Sequence, residues 1–256
     1  MAAHMTEPTF DLLVQGFPGS SPSNGGMGWS SVGLVRTGGH VVLLDTGPFG
    51  VRDLLRRRLA DHGLEPADIT DVVLTHAHHD HAINWPMFVN ARVHLSAVEL
   101  GWSVKVSPGT SPVAEFSMRE LARRDVARPL VDDGEIAPGL RTVLLPGHTP
   151  GSLMVVVDVP GARTYFVGDA VKNRAELLSG TAEASLDSVA SHLAITLVRA
   201  RWLAEDGSVV VPGHDLPLAW RGGESVQLGE REASVEARFG TDLAERALIR
   251  LQDSAS

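Results

Sequence analysis

The chain has 256 residues, 43% hydrophobic and 21% charged, the balance of a globular protein long enough to bury a sizeable core. It contains no cysteine, which excludes disulfides, a thiolate nucleophile and thiolate metal ligands. Its 22 basic and 31 acidic residues leave a net charge of −9, which argues against nucleic acid as the main partner, because phosphate contacts want a basic face.

Met1 to Met5 (Met-Ala-Ala-His-Met) reads as a vector scar, and His4 is set aside with it. The N-terminus shows no basic region followed by an apolar one. The longest uncharged stretch, Leu12 to Val35, is crowded with Gly, Ser and Pro. Neither a secretory signal nor a membrane span is expected, and the protein reads as cytoplasmic.

Residues 6–256 read as a single domain. Phe10 to Val14 is a short strand, followed by a Gly- and Pro-rich connection over 16–29. Ser31 to Val35 and Val41 to Leu44 are β-rich runs joined by a hairpin at Thr37-Gly38-Gly39, and Asp45-Thr46-Gly47 ends the second. Asp53 to His62 carries Leu54, Leu55 and Leu59 at helical spacing and stops at Gly63. Ile69 to Leu74 and Arg92 to Leu95 are buried strands. Residues 98–130, interrupted by Pro108, Gly109 and Pro112, read as an insertion near the site edge, with a helix over Glu115 to Arg124.

The second half repeats this order. Thr142 to Leu145, Leu153 to Val157 and Thr164 to Val167 read as strands. A helix is predicted from Leu186 to Ala204, with Val189, Leu193, Leu197 and Ala200 on one face. Val209 to Val211 is a strand, and Glu230 to Leu251 is predicted as a closing helix. Strands then a helix, twice over, suggest two packed sheets with helices outside.

The chemistry concentrates in His76-Ala77-His78-His79-Asp80-His81, fed directly by an apolar strand. His76 and His78 are two apart, so on an extended segment they point the same way. Asp80 and His81 follow where the chain turns into a helix and face a neighbouring point. Imidazole and carboxylate are natural ligands of a borderline divalent ion. Three further single residues stand at strand ends: His148 in Pro146-Gly-His-Thr-Pro-Gly151, Asp169 in Gly168-Asp-Ala170, and His214 in Pro212-Gly-His-Asp215. Any one histidine is more simply a surface residue; the group is not.

This set, with Leu44-Asp-Thr-Gly47 and Gly147-His-Thr-Pro-Gly-Ser152, resembles the metallo-β-lactamase superfamily from about Phe10 to His214. The resemblance implies an α/β fold, a four-layer αββα sandwich of two mixed sheets flanked by helices, with metals at one edge. It implies that His76, His78 and His148 hold one ion, that Asp80, His81 and His214 hold another, and that Asp169 bridges both. Two Zn2+ per chain are expected, with Fe or Mn as alternatives. Asp45 would orient the ligand loop or, equally, serve only as a strand-end turn residue.

The absence of Cys and the Asp at 169 set the chain apart from true β-lactamases of this superfamily and beside its bridging-Asp members, the glyoxalase II-like thioesterases, the acyl-homoserine lactonases and the RNA- and phosphodiester-cleaving enzymes, the last disfavoured by the acidic charge. Acyl-homoserine lactonases carry a Tyr three residues after that Asp; here it is Lys172. The reading is a dinuclear hydrolase that cleaves an ester, thioester or lactone with a metal-bound hydroxide, with Asp80 orienting the nucleophile and His214 assisting the leaving group. A mononuclear iron, persulfide dioxygenase-like oxidoreductase and a non-enzymatic metal-binding protein are the alternatives. Lys172 and Asn173 would reach the cleft, where Lys172 pairs with a substrate carboxylate or is simply a solvated lysine. Met27, Trp29 and Phe49 would overhang the metals as an apolar wall. The expected partner is a small-molecule substrate, with neither nucleic acid nor a membrane. Residues 98–130 and the closing helix are candidate surfaces for a homodimer.

Overall fold

The structure is a computed structural model that describes residues 7–242 and 244–251; residues 1–5, read above as a vector scar, lie outside them. The first half builds one six-stranded sheet. β1 (Thr9–Val14) leads into a small hairpin of β2 (Ser20–Ser21) and β3 (Gly25–Gly26), and then into β4 (Val32–Thr37) and β5 (His40–Leu44). The Gly-rich residues 16–29, read as a connection, therefore fold back on themselves: Phe17 and Trp29 exchange backbone hydrogen bonds at 2.9 and 3.1 Å. α1 (Arg52–Asp61) crosses to β6 (Asp71–Val73), the short α2 (His79–Ala82) follows, and β7 (Arg92–Ser96) pairs parallel beside β6. α3 (Ala97–Ser103), α4 (Glu115–Leu121) and the edge strand β8 (Ala127–Leu130) account for most of residues 98–130. The spatial order is β1-β4-β5-β6-β7-β8.

The second half builds a seven-stranded sheet from β9 (Gly134–Ala137), β10 (Leu140–Leu144), β11 (Leu153–Val159) and β12 (Ala162–Gly168). After α5 (Arg174–Ser179) and α6 (Ser188–Leu203) come β13 (Val209–Pro212), β14 (Leu218–Arg221) and β15 (Glu224–Gln227). Its order is β15-β14-β13-β12-β11-β10-β9, with β12 and β13 parallel.

The central strands of both sheets are buried on both faces, so they read as continuous apolar runs. Along β5, Val42 and Leu44 face the other sheet while Leu43 faces the helices. Val42, Leu44 and Val73 of one sheet and Leu153, Val155, Phe166 and Val211 of the other form the central layer. Leu55 and Leu59 of α1, with Met118 and Leu121 of α4, cover the first sheet. Ile195, Val198 and Trp202 of α6 cover the second. The result is the expected four-layer αββα sandwich.

Two predicted elements differ. Residues 230–251 do not form a closing helix: β16 (Ser234–Ala237) pairs antiparallel with β17 (Ala247–Arg250). Gly240-Thr241-Asp242 supplies a break that a helix would have to cross, and the chain instead aligns Val235 with Ile249 across a ladder. α6 forms as predicted but packs by its other face. Asp187 caps it, accepting from the N–H groups of Val189 and Ala190. Ser191, Ala194, Ile195, Val198 and Trp202 are buried, whereas Val189 and Leu193 are 71% and 63% exposed. The helix is apolar on two sides, and the wide Trp202 and branched Ile195 settle which side fills the layer.

Candidate metal centre

Four loops at strand ends converge at one edge between the sheets. Leu153 N–H donates to Thr75 O at 3.0 Å, and Ser31 N–H to Gly213 O at 2.7 Å, tying the layers together at this edge. The loop after β6 carries His76, His78, Asp80 and His81; the loop between β10 and β11 carries His148; Asp169 follows β12 and His214 follows β13. Gly213 is required by close approach, since a Cβ there would collide with Oδ1 of Asp169.

The seven predicted side chains lie together. Nε2 of His148 is 3.0 Å from Nδ1 of His78 and 3.4 Å from Oδ2 of Asp169. Oδ1 of Asp169 is 3.2 Å from Nε2 of both His81 and His214. Oδ2 of Asp80 is 3.3 Å from Nε2 of His214 and 3.6 Å from that of His81. Three overlapping groups, His76-His78-His148, His76-His81-Asp169 and Asp80-His81-His214, each bring their ligand atoms within 4.8 Å of one another. Nε2 of His76, Nε2 of His81 and Oδ1 of Asp169 are buried without a hydrogen-bond partner. Buried polar atoms left bare are costly unless something else satisfies them, and imidazole nitrogens beside carboxylate oxygens are the donor set a divalent cation fits.

Burial, reinforced by the neighbouring imidazoles, pushes His76 well below its ordinary pKa. The same causes lower His78 to about 3. Burial also lowers His148. These three are neutral at pH 7, with lone pairs available to a cation. Burial pulls His81 and His214 down too, but the carboxylates beside them outweigh it and raise both. Burial likewise pushes Asp169 and Asp80 up, and the surrounding imidazoles overcome it and hold both below the usual carboxylate range.

The ligand loops are held from outside. Asp45 is fully buried; its carboxylate accepts from Thr75 N–H and Thr75 Oγ1–H at 2.7 Å each, and lies 2.7 Å from Nδ1 of His81. That contact places a proton on Nδ1 and turns Nε2 of His81 to the cluster. His148 Nδ1 lies 3.2 Å from Ala184 O, and His214 Nδ1 lies 3.1 Å from Trp29 O. The sequence reading missed Glu99, which is fully buried. Its carboxylate accepts from Ala77 N–H and from Gly151 N–H, each at 2.9 Å, and so joins the loop of His76 and His78 to the loop of His148. Its only sequence signal is Ser96-Ala-Val-Glu99, which reads as a helix cap. Ser96 does accept from Val98 and Glu99 N–H, but the Glu99 side chain leaves the helix.

The other predicted site residues separate. Lys172 and Asn173 line a cavity of about 260 Å3 together with Asp80, Asp169 and His214. Asn173 also caps α5, accepting from Glu176 N–H at 3.0 Å. Met27 and Trp29 do not line that cavity; they line an adjoining one. Trp29 reaches the cluster through its carbonyl, which lies on Nδ1 of His214. Phe49 lines neither cavity; it is 65% exposed, with the Arg52 guanidinium 4.1 Å over its ring. His40 and His94 flank the buried Asp71, at 2.9 and 2.8 Å.

Fold and cluster together define an αββα protein with a histidine–aspartate centre in the mouth between its sheets. Residues 26–214 match the family model of the metallo-beta-lactamase superfamily. The chain is 31% identical over 195 residues to metallo-beta-lactamase domain-containing protein 1 of Xenopus laevis, covering 73% of this chain and 71% of that protein. It is 30% identical over 178 residues to the protein of the same name from Rattus norvegicus, covering 69% of this chain and 62% of that protein. Among solved structures, it resembles a Thermotoga maritima protein described as a metallo-beta-lactamase, with a TM-score of 0.67, 22% identity, and coverage of 83% of this chain and 99% of that one. It also resembles an N-acyl homoserine lactone hydrolase with N-hexanoyl-L-homoserine at its metal centre, with a TM-score of 0.63, 17% identity, and coverage of 82% and 94%. The chain belongs to the metallo-β-lactamase superfamily.

Proposed function

We propose that the protein is a metal-dependent hydrolase holding two divalent cations, zinc by preference, and cleaving an ester, thioester or lactone of a small molecule. The observation that carries this reading is the bare, buried face shared by His76, His81 and Asp169, flanked on each side by a further group of donors. His76, His78 and His148 would hold one cation, Asp80, His81 and His214 the other, and Asp169 would contribute to both. A closed structural site needs four ligands; seven donors opening on a cavity suit a site that also receives substrate. Divalent cations held there would acidify water and polarise a carbonyl oxygen.

The protein's own groups do the rest. Asp80, beside His214, offers an oxygen to orient the attacking water and accept its proton. His214, with Nδ1 fixed on Trp29 O, turns Nε2 to the cluster as a cation ligand, so the leaving group would take its proton from Asp80, which received it from the water. Lys172, on the cavity wall, supplies a cation for an anionic group of the substrate or for the departing oxygen. Protein stripped with a chelator and shown to remain folded is expected to be inactive towards p-nitrophenyl acetate, a thioester and a lactone. Two equivalents of Zn2+ per chain should restore turnover. Activity retained without metal, or one tightly held iron per chain in the active form, would overturn the reading.

A further inference from the structure

A second cavity, of about 570 Å3, adjoins the one over the donor cluster and is walled by Leu13, Val14, Met27, Trp29, Val51 and Leu54. Its size falls in the range of ligand pockets, and beside these six apolar residues its lining carries Gln15, Arg58, Glu232 and Ser234. Arg58, one helical turn beyond Leu54, pairs with Glu232 at 2.7 Å on the same lining.

The two cavities share one wall, made by Gly26 and Gly28 of the folded-back hairpin. At Gly26 an added Cβ would meet nothing within 4 Å, and the backbone is not among the positive-φ positions. Gly26 is therefore a side-chain-free saddle that conformation does not demand. A larger residue is accommodated there without strain, on the lining the two cavities share. Trp29 connects the two sides: its carbonyl receives His214, its Nε1–H donates to Gln15 O at 2.8 Å, and it lines the apolar groove.

We propose that this groove receives the acyl chain of the substrate, which crosses the hairpin at Gly26 while its carbonyl lies at the donor cluster. The proposal rests on the hydrolase reading above and adds the substrate class: an ester, thioester or lactone of an unbranched, medium-length acid. The apolar walls reward each methylene drawn out of water, and the cavity's volume of about 570 Å3 sets an upper limit on chain length.

The metal-loaded full chain is tested with p-nitrophenyl acetate, butyrate, octanoate and palmitate. From acetate to octanoate kcat/KM is expected to rise on the order of 100-fold, and to fall again at palmitate. Gly26→Val, which fills the saddle, and Met27→Glu, which charges the wall, are each expected to cut the octanoate-to-acetate ratio at least about tenfold. Calorimetric titration with octanoate and acetate, which share a carboxylate and differ only in the chain, reads the groove without turnover. Octanoate should bind the native chain more tightly than acetate and lose that advantage in Gly26→Val. Hydrolysis of acetate and octanoate with equal kcat/KM would overturn the groove and leave the hydrolase standing. Failure to hydrolyse any ester, with octanoate bound no better than acetate, would overturn both.

Discussion

Asp45 sits in left-handed backbone at φ 56°, and no other described non-glycine residue does so. Such a conformation costs on the order of 1 kcal/mol or more. It is held because the carboxylate it aims accepts three hydrogen bonds, one from the imidazole of His81. Asp45→Asn keeps the shape but replaces a charged acceptor with an amide that can present an N–H to His81. Zinc affinity is expected to fall about 10- to 100-fold, read by competition with a chromogenic chelator while the melting profile stays cooperative. Unchanged affinity would make Asp45 a turn residue only. Convergence of the donors was legible in the sequence because four of them fall within residues 76–81 and the others stand alone at Gly-marked strand ends. Glu99 was not legible, because a glutamate three residues after a serine satisfies a local helix rule and its long-range partners are backbone amides without sequence identity.

At the scale of elements, each strand of the second sheet that feeds the centre ends in a glycine-containing turn, and those breaks were visible as Pro146-Gly147, Gly168 and Pro212-Gly213. At the other end of the first sheet β6 opens with the fully buried Asp71, whose carboxylate accepts from Arg92 and lies against His94 and His40. Burial pushes its pKa up, but hydrogen bonds from His94, Arg92, His40 and Thr70 outweigh it and hold the carboxyl far below its ordinary value. A depressed native pKa stabilises above the unfolded carboxylate value near ~3.9. That contribution is lost as pH falls below it towards the native value. Asp71→Asn should therefore cost about 3 kcal/mol at pH 7, with the gap to the native chain narrowing by pH 3 in urea titrations. A gap independent of pH would place the effect in packing rather than charge. The closing segment misled because apolar residues over 230–251 fit a helical period loosely, while Gly240 and cross-strand pairing act over a distance that periodicity does not register. α6 misled differently: both its faces carry apolar residues, and only the partner layer decides which is buried.

For the whole molecule, the layered architecture followed from strand and helix order, and no helix among the described residues is long and apolar enough to cross a membrane. The candidate centre lies where the two sheets meet, so a ligand that prefers the folded chain stabilises the junction itself. With Zn2+ at about 1,000 times its dissociation constant, stability should rise by about 4 kcal/mol, and Tm by roughly 10 °C, over chelator-treated protein in scanning calorimetry. Coincident melts would sink the metal assignment.

The chain runs through the first sheet before it begins the second, and each of the three donor groups takes two members from the earlier half and one from the later. No group is complete in either half. A cation thus has no finished seat until both halves have formed and met, so it acts as a latch on a closed joint rather than a seed around which the polypeptide gathers.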